Sequence, residues 1–195
     1  MADDQTEESY AFVILGEDVV SASAAVDKDD NQSNRRALVR ATVSAVEAMA
    51  HLYRSQLLLR IKADPTRYST AEIALIREES YFLDGSGRPR IRPNYAPLPA
   101  TFRFIIAMYH RGLWKQFDLD VDSHQWHAFH RVVELRHRLT HPKHPGSLQV
   151  SDRDLADTRA AYIWLLYTTE KALVDLIDEG RRREREAKSR GSRGG

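Results

Sequence analysis

From Arg35 to about Lys62 the apolar positions Val39, Val43, Val46, Ala50, Tyr53, Leu57 and Ile61 recur at steps of three and four, with no glycine or proline between them. That is the period of one buried helix face, so the row predicts the longest helix of the chain. Shorter rows follow. Ser69 with Glu72 three residues later is a capping-box pattern that starts a helix reaching about Glu79. Another helix is expected from about Ala100 to Arg111, stopping at Gly112. The row Trp126, Phe129, Val133, Arg136, Thr140 predicts one that begins near Asp122 or Ser123 and ends near Thr140. Ser151 and Asp154 repeat the capping pattern ahead of Leu155, Tyr162, Leu166, Leu173 and Ile177, which carry a last helix to about Glu179. Near the start, Phe12, Leu15, Val19, Ala22 and Val26 also step as a helix, although Phe12 to Leu15 alone would suit a short strand. Between the helices, Tyr81 to Pro93 is rich in glycine, proline and arginine, and reads as an exposed loop or small hairpin about Asp84-Gly85. The sum is an all-α fold, a single bundle of five or six helices with that loop or hairpin inserted.

At 195 residues and 42% hydrophobic content, the chain suits one domain with one core. Its expected organisation is a flexible acidic N-terminus over 1–9, a helical domain over 10–179 and a basic, largely disordered tail over 180–195. The net charge of +1 conceals opposite ends. Met1 to Asn34 holds nine acids against one lysine, whereas Gly180 to Gly195 holds seven basic residues against two acids. The absence of cysteine excludes disulfides, thiolate metal sites and cysteine nucleophiles, and fits a reducing compartment. No apolar run approaches the ~20 residues that span a bilayer, and the first apolar stretch, Ala11 to Leu15, follows acids where a signal peptide carries basic residues. A cytoplasmic protein with no membrane partner is the expectation.

Candidate chemistry concentrates in Arg136-His-Arg-Leu-Thr-His141-Pro142-Lys143. Arg136 falls in an otherwise apolar row, so a permanent charge is expected in the helix seam. On an unbroken helix, five residues leave Arg136 and His141 about 140° apart. Pro142 pushes the residue before it out of the α region, which predicts a helix end near Thr140 and an imidazole free to swing toward the guanidinium. Arginine offers a planar fork of donors to phosphate oxygens and keeps its charge, and histidine, which titrates near pH 6.5 when unperturbed, can accept or donate a proton at a ribose hydroxyl.

An arginine, a polar residue, three further positions and a histidine, at the end of a penultimate helix and followed by a closing amphipathic helix, resemble the R-polar-x-x-x-H motif of the HEPN superfamily of helical domains. The likeness covers about Arg35 to Glu179, and His137 fills the polar position. What the resemblance implies is a metal-independent endoribonuclease acting on RNA, in which a 2′-oxygen attacks the adjacent phosphorus. Arg136 would steady the charge of the transition state and His141 would move the proton. His137 and Glu47 would be supporting residues, with Glu47 on the long helix orienting Arg136. Arg138, Lys143 and His144 are the candidate RNA-binding residues, and no cofactor is required. The resemblance further implies a composite cleft across a homodimer, and a toxin or phage-defence setting with a possible antitoxin or partner protein. Some toxins of the superfamily carry a tyrosine two positions beyond the histidine, where this chain has Lys143.

Each of these residues has a plainer reading. Arg136 and Glu47 could be an ordinary interhelical ion pair, and His141 a helix C-cap favoured by the dipole. On that view the chain is a non-catalytic module that binds RNA, nucleotide or protein. His130, Glu134, His137 and His141 share a helical stripe that could ligate zinc, with His124 and His127 nearby, yet no established zinc motif is present and a solvated stripe is favoured, so no metal is assigned. Arg88, Arg90 and Arg92 alternate in a way that could present a basic ridge, and the tail from Arg181 could meet phosphates, although both patterns are common on solvated surfaces. Trp126, Phe129, Tyr162, Trp164 and Tyr167 are spaced as core or interface residues. No phosphate-binding glycine loop or nucleophile elbow appears.

Overall fold

The computed structural model describes residues 2–113 and 119–191. Among them are six α-helices and one antiparallel hairpin. The helices are α1 (Ala2–Lys28), α2 (Gln32–Ala63), α3 (Thr70–Ile76), α4 (Leu98–Gly112), α5 (His124–Thr140) and α6 (Asp152–Gly191). The strands β1 (Glu79–Leu83) and β2 (Pro89–Pro93) lie between α3 and α4. The chain is thus mostly helical, with the hairpin as its only sheet among the described residues.

The central element is α2, which packs against α1, α3, α4, α5 and α6. All seven positions of its apolar row, from Val39 to Ile61, are buried. Each such side chain removed from water contributes roughly 1.5–3 kcal/mol before entropy is counted, which makes this helix the axis of the core. Asn31 caps it, accepting hydrogen bonds from the amides of Ser33 and Asn34. The capping box at Ser69 is formed, with Ser69 and Glu72 each accepting from the other's amide.

Several boundaries move. α3 stops at Ile76, short of the expected Glu79, because Glu78 turns into the left-handed region at φ 56° and Glu79 starts the hairpin. At the N-terminus, α1 begins at Ala2 and includes the acidic stretch expected to lead flexibly into it. The last helix continues past 179 through the basic stretch to Gly191. The final positions 192–195 of the expected disordered tail lie outside the described residues.

The expected seams depart from the observed ones, that of α5 from Val133 on and that of α6 at Leu166; Leu155 and Tyr162 do pack against the core, and the side chains of Leu173 and Ile177 lie outside the described residues. On α5 the buried positions are Trp126, Ala128, Phe129, Val132, Leu135 and Leu139, while Val133 and Arg136 are half-exposed and Thr140 is exposed. On α6 they include Ala161, Trp164, Leu165, Thr168 and Ala172, with Leu166 47% and Tyr167 66% exposed. Arg136 therefore stands at the margin of the core, which spares it the desolvation cost of a seam position. Among the described residues no helix is long and apolar enough to cross a membrane.

Candidate functional site

Three sets of contacts fix α5 along its length. Ser123 caps the helix start by accepting from the Trp126 amide at 3.2 Å. Midway along, Arg131 makes a two-pronged ion pair with Asp157 of α6, both bonds 2.7 Å. Near the end, Arg138 donates to the carbonyl of Ser147 at 3.2 Å and reaches Asp154 of α6 at 3.5 Å. Arg138, a candidate RNA ligand, is thus partly engaged in fastening α5 to the loop after it and to the first turn of α6.

At the margin, Nη2 of Arg136 lies 3.5 Å from Oε1 of Glu47, with the two side chains 40% and 44% exposed. The pair is long and wet, worth no more than about 1 kcal/mol, so it orients the guanidinium more than it stabilises the fold. Both imidazoles of the motif are exposed, with ring centroids 5.0 Å apart.

Pro142 ends the helix where expected, at Thr140, yet the last turn is closed. The His141 amide still donates to the His137 carbonyl at 3.0 Å, closing the last helical turn, and only then does His141 leave the helix at φ −122°, ψ 63°. Its ring stands beside that of His137, and five residues of a helix correspond to a separation of about 140° from Arg136. The Thr140 hydroxyl folds back onto the Arg136 carbonyl at 2.8 Å, a further satisfied group of this last turn.

Beyond Pro142 the loop is pinned to the start of α2. Gln32 exchanges two hydrogen bonds with the backbone of Val150, at 2.8 and 3.1 Å. Arg35 donates to the same carbonyl at 3.0 Å and pairs with Asp152, and Arg36 donates to the Leu148 carbonyl. Lys143 and His144 ride exposed on this anchored loop. The sequence reading did not single out Gln32, Arg35 or Arg36, although a signal was available. Two arginines in the first turn of a helix oppose its dipole and call for partners elsewhere.

The histidine stripe does not gather into a metal site: among the described residues no three His, Asp or Glu side chains are placed to hold an ion. His130 packs edge-on against Trp126, centroids 4.8 Å apart, and burial pushes its pKa down. Cavities lie elsewhere. One of about 430 Å³ sits at the start of α5, lined by Leu119, Ser123, Trp164, Tyr167 and Lys171 among others, and one of about 610 Å³ lies between α2 and α3. Neither is lined by Arg136, His137 or His141. The first is some 20 Å from Arg136, thirteen residues along the same helix. Comparison with known proteins returns no matching family model, no matching curated protein and no matching solved structure.

Proposed function

We propose that the chain is a metal-independent endoribonuclease whose Arg136 and His141 act on a phosphodiester of RNA. The observation that carries this reading is the state of Arg136: half-exposed, oriented by Glu47, and set at the same helix end as two exposed imidazoles. A guanidinium placed this way can stabilise the extra negative charge on phosphate oxygens, and a histidine can take the proton from the attacking 2′-hydroxyl. His137 sits beside His141 and would orient it, and Lys143 and His144 offer further cationic or donor groups on the anchored loop.

The angle between Arg136 and His141 favours a site completed in trans. One phosphodiester is met more readily by the Arg136 of one copy and the His141 of another than by both from one helix, which supports a symmetric homodimer. The same angle lends weight to a second reading, a non-catalytic RNA- or protein-binding module in which Arg136 and Glu47 pair only structurally. The setting, whether a toxin, a defence effector or another cytoplasmic role, rests on resemblance alone.

Cleavage of mixed RNAs in EDTA separates these readings. Arg136→Ala is expected to lower the rate by about 10²–10³ and His141→Ala by about 10²–10⁴, with helical circular dichroism and mass in solution unchanged. Mixing the two inactive variants should restore partial activity if the site is shared between copies. No cleavage by the wild-type protein, or variants that lose their fold, would leave the binding-module reading.

A further inference from the structure

The hairpin between α3 and α4 has two chemically distinct faces. Its register pairs Ser80 with Arg92, Tyr81 with Ile91, Phe82 with Arg90 and Leu83 with Pro89. Directly opposed residues share a face and successive residues alternate, so one face carries Ser80, Phe82, Arg90 and Arg92, and the other Glu79, Tyr81, Leu83, Ile91, Pro89 and Pro93. The Asp84 amide donates to the Arg88 carbonyl at 2.9 Å, continuing the ladder and placing Arg88 at the arginine end of the first face. Arg92 lies over the Phe82 ring at 5.6 Å and donates to the Ser80 hydroxyl at 3.2 Å; Arg90 pairs with Asp84 at 2.9 Å. Three arginines thus stand against one aspartate beside an aromatic ring that is 42% exposed.

The hairpin is also held at a fixed place. Glu78 adopts φ 56°, an uncommon conformation for a residue with a side chain, and is kept there by Arg54 of α2, whose Nη2 lies 2.7 Å from its carboxylate, and by the Asn94 amide, which donates to its carbonyl at 2.8 Å. Arg54 and Glu47 are seven residues apart, two helical turns, which puts them on nearly the same face of α2 and about 10 Å apart along it. The root of the hairpin and the partner of Arg136 therefore share one stripe of one helix.

We infer that the arginine face of the hairpin is a second RNA-binding element, which grips single-stranded RNA running along α2 from the Arg136 end. This rests on the reading of the chain as an RNA enzyme and names its substrate class. Arginines at alternate positions of β2 stand about 6.7 Å apart, a spacing suited to successive phosphates of an extended strand. Unstacked bases lie flat on aromatic rings and on guanidinium planes, and Phe82 with Arg92 offers both. A duplex presents neither free bases nor a backbone that a two-stranded ribbon can follow in this way.

The test is fluorescence anisotropy with a 2′-O-methyl oligouridylate of twelve nucleotides, which cannot be cleaved by 2′-oxygen attack. Arg90→Ala/Arg92→Ala should weaken binding at least tenfold and flatten the slope of log K against log salt by about 1.4, the loss of two single-strand phosphate contacts. Arg90→Lys/Arg92→Lys, which preserves charge and guards against misfolding of the alanine pair, should keep the wild-type salt slope and lose only the part of the affinity due to guanidinium stacking. Leu83→Ser/Ile91→Ser on the opposite face should bind like the wild type. An unchanged affinity and slope in the alanine pair would overturn the inference, as would an equal loss in the opposite-face pair. The outcome is separable from catalysis: wild-type binding through the arm without cleavage of natural RNA would sink the nuclease alone, whereas cleavage and binding untouched by the alanine pair would sink the arm alone.

Discussion

The two ends of α5 are built on opposite terms. At its start, Trp126 and Phe129 enter an aromatic cluster with Phe102 of α4 and Trp164 of α6. Phe129 and Trp164 are stacked at 5.1 Å and 17°, and Phe102 meets both within about 6 Å. At its end, Arg136, His137 and His141 face water and are held by one long ion pair and the last turn of backbone. The first end supplies stability, and the second leaves polar groups accessible on a rigid support, where a functional residue can change with little effect on the fold.

Mutation should expose this contrast. Phe129→Ala empties a fully buried site touched by three aromatic neighbours and should cost about 3–5 kcal/mol in denaturant unfolding. Asp157→Ala removes two charge-assisted bonds from Arg131, midway along the helix, and should cost about 1.5–3 kcal/mol. Arg136→Ala at the other end should cost under about 1 kcal/mol, because water replaces Glu47 readily at 40% exposure. If Arg136→Ala proved as damaging as Phe129→Ala, the two ends would be equally structural and the case for a functional arginine would weaken sharply.

The same contrast explains what the sequence did and did not reveal. The helices were legible because their caps and periods are local: Ser69 with Glu72, Ser123, and the unbroken row of α2 all appear where expected. The azimuth of α5 and α6 was not. On α5, Val132 and Val133 are chemically alike, and choosing the second turns the deduced face by about 100° from that point on, which carried Arg136 into the seam. On α6, Leu165 and Leu166 pose the same choice. Which neighbour faces the core is settled by Phe102, Trp164 and α2, contacts far apart in sequence. The direction of the His141 ring was likewise beyond reach, since proline restricts the backbone of its predecessor without fixing the side chain. The basic ridge of the hairpin was legible in the alternation of Arg88, Arg90 and Arg92, whereas the register that sets Ser80 and Phe82 beside it is a pairing between strands that alternation does not give.

Acid should separate the ends by a smaller margin. Two groups in or against the first half of α5, His130 and Asp157 of α6, have pKa values below their ordinary range, for different reasons. The Arg131 hydrogen bonds hold Asp157 ionised, and partial burial against Trp126 disfavours the charged form of His130. In both cases the unfolded chain binds the proton first, so stability falls as pH drops through each window. The His130 window opens as pH falls below about 6.5 and closes at its lower folded value; the Asp157 window opens below about 3.9. Neutral-pH stability should therefore decline in two steps on acidification, the upper one shallow because His130 is largely exposed. Melting followed by tryptophan emission, which reports on Trp126 and Trp164, should show both. His130→Gln should remove the upper step, whereas Asp157→Asn should only shrink the lower one, to which the depressed carboxyls of Glu72, Asp84, Asp30 and Asp64 also contribute. A single step untouched by either variant would mean that the acid-sensitive ties lie away from this end of the helix, and that packing alone distinguishes it from the other.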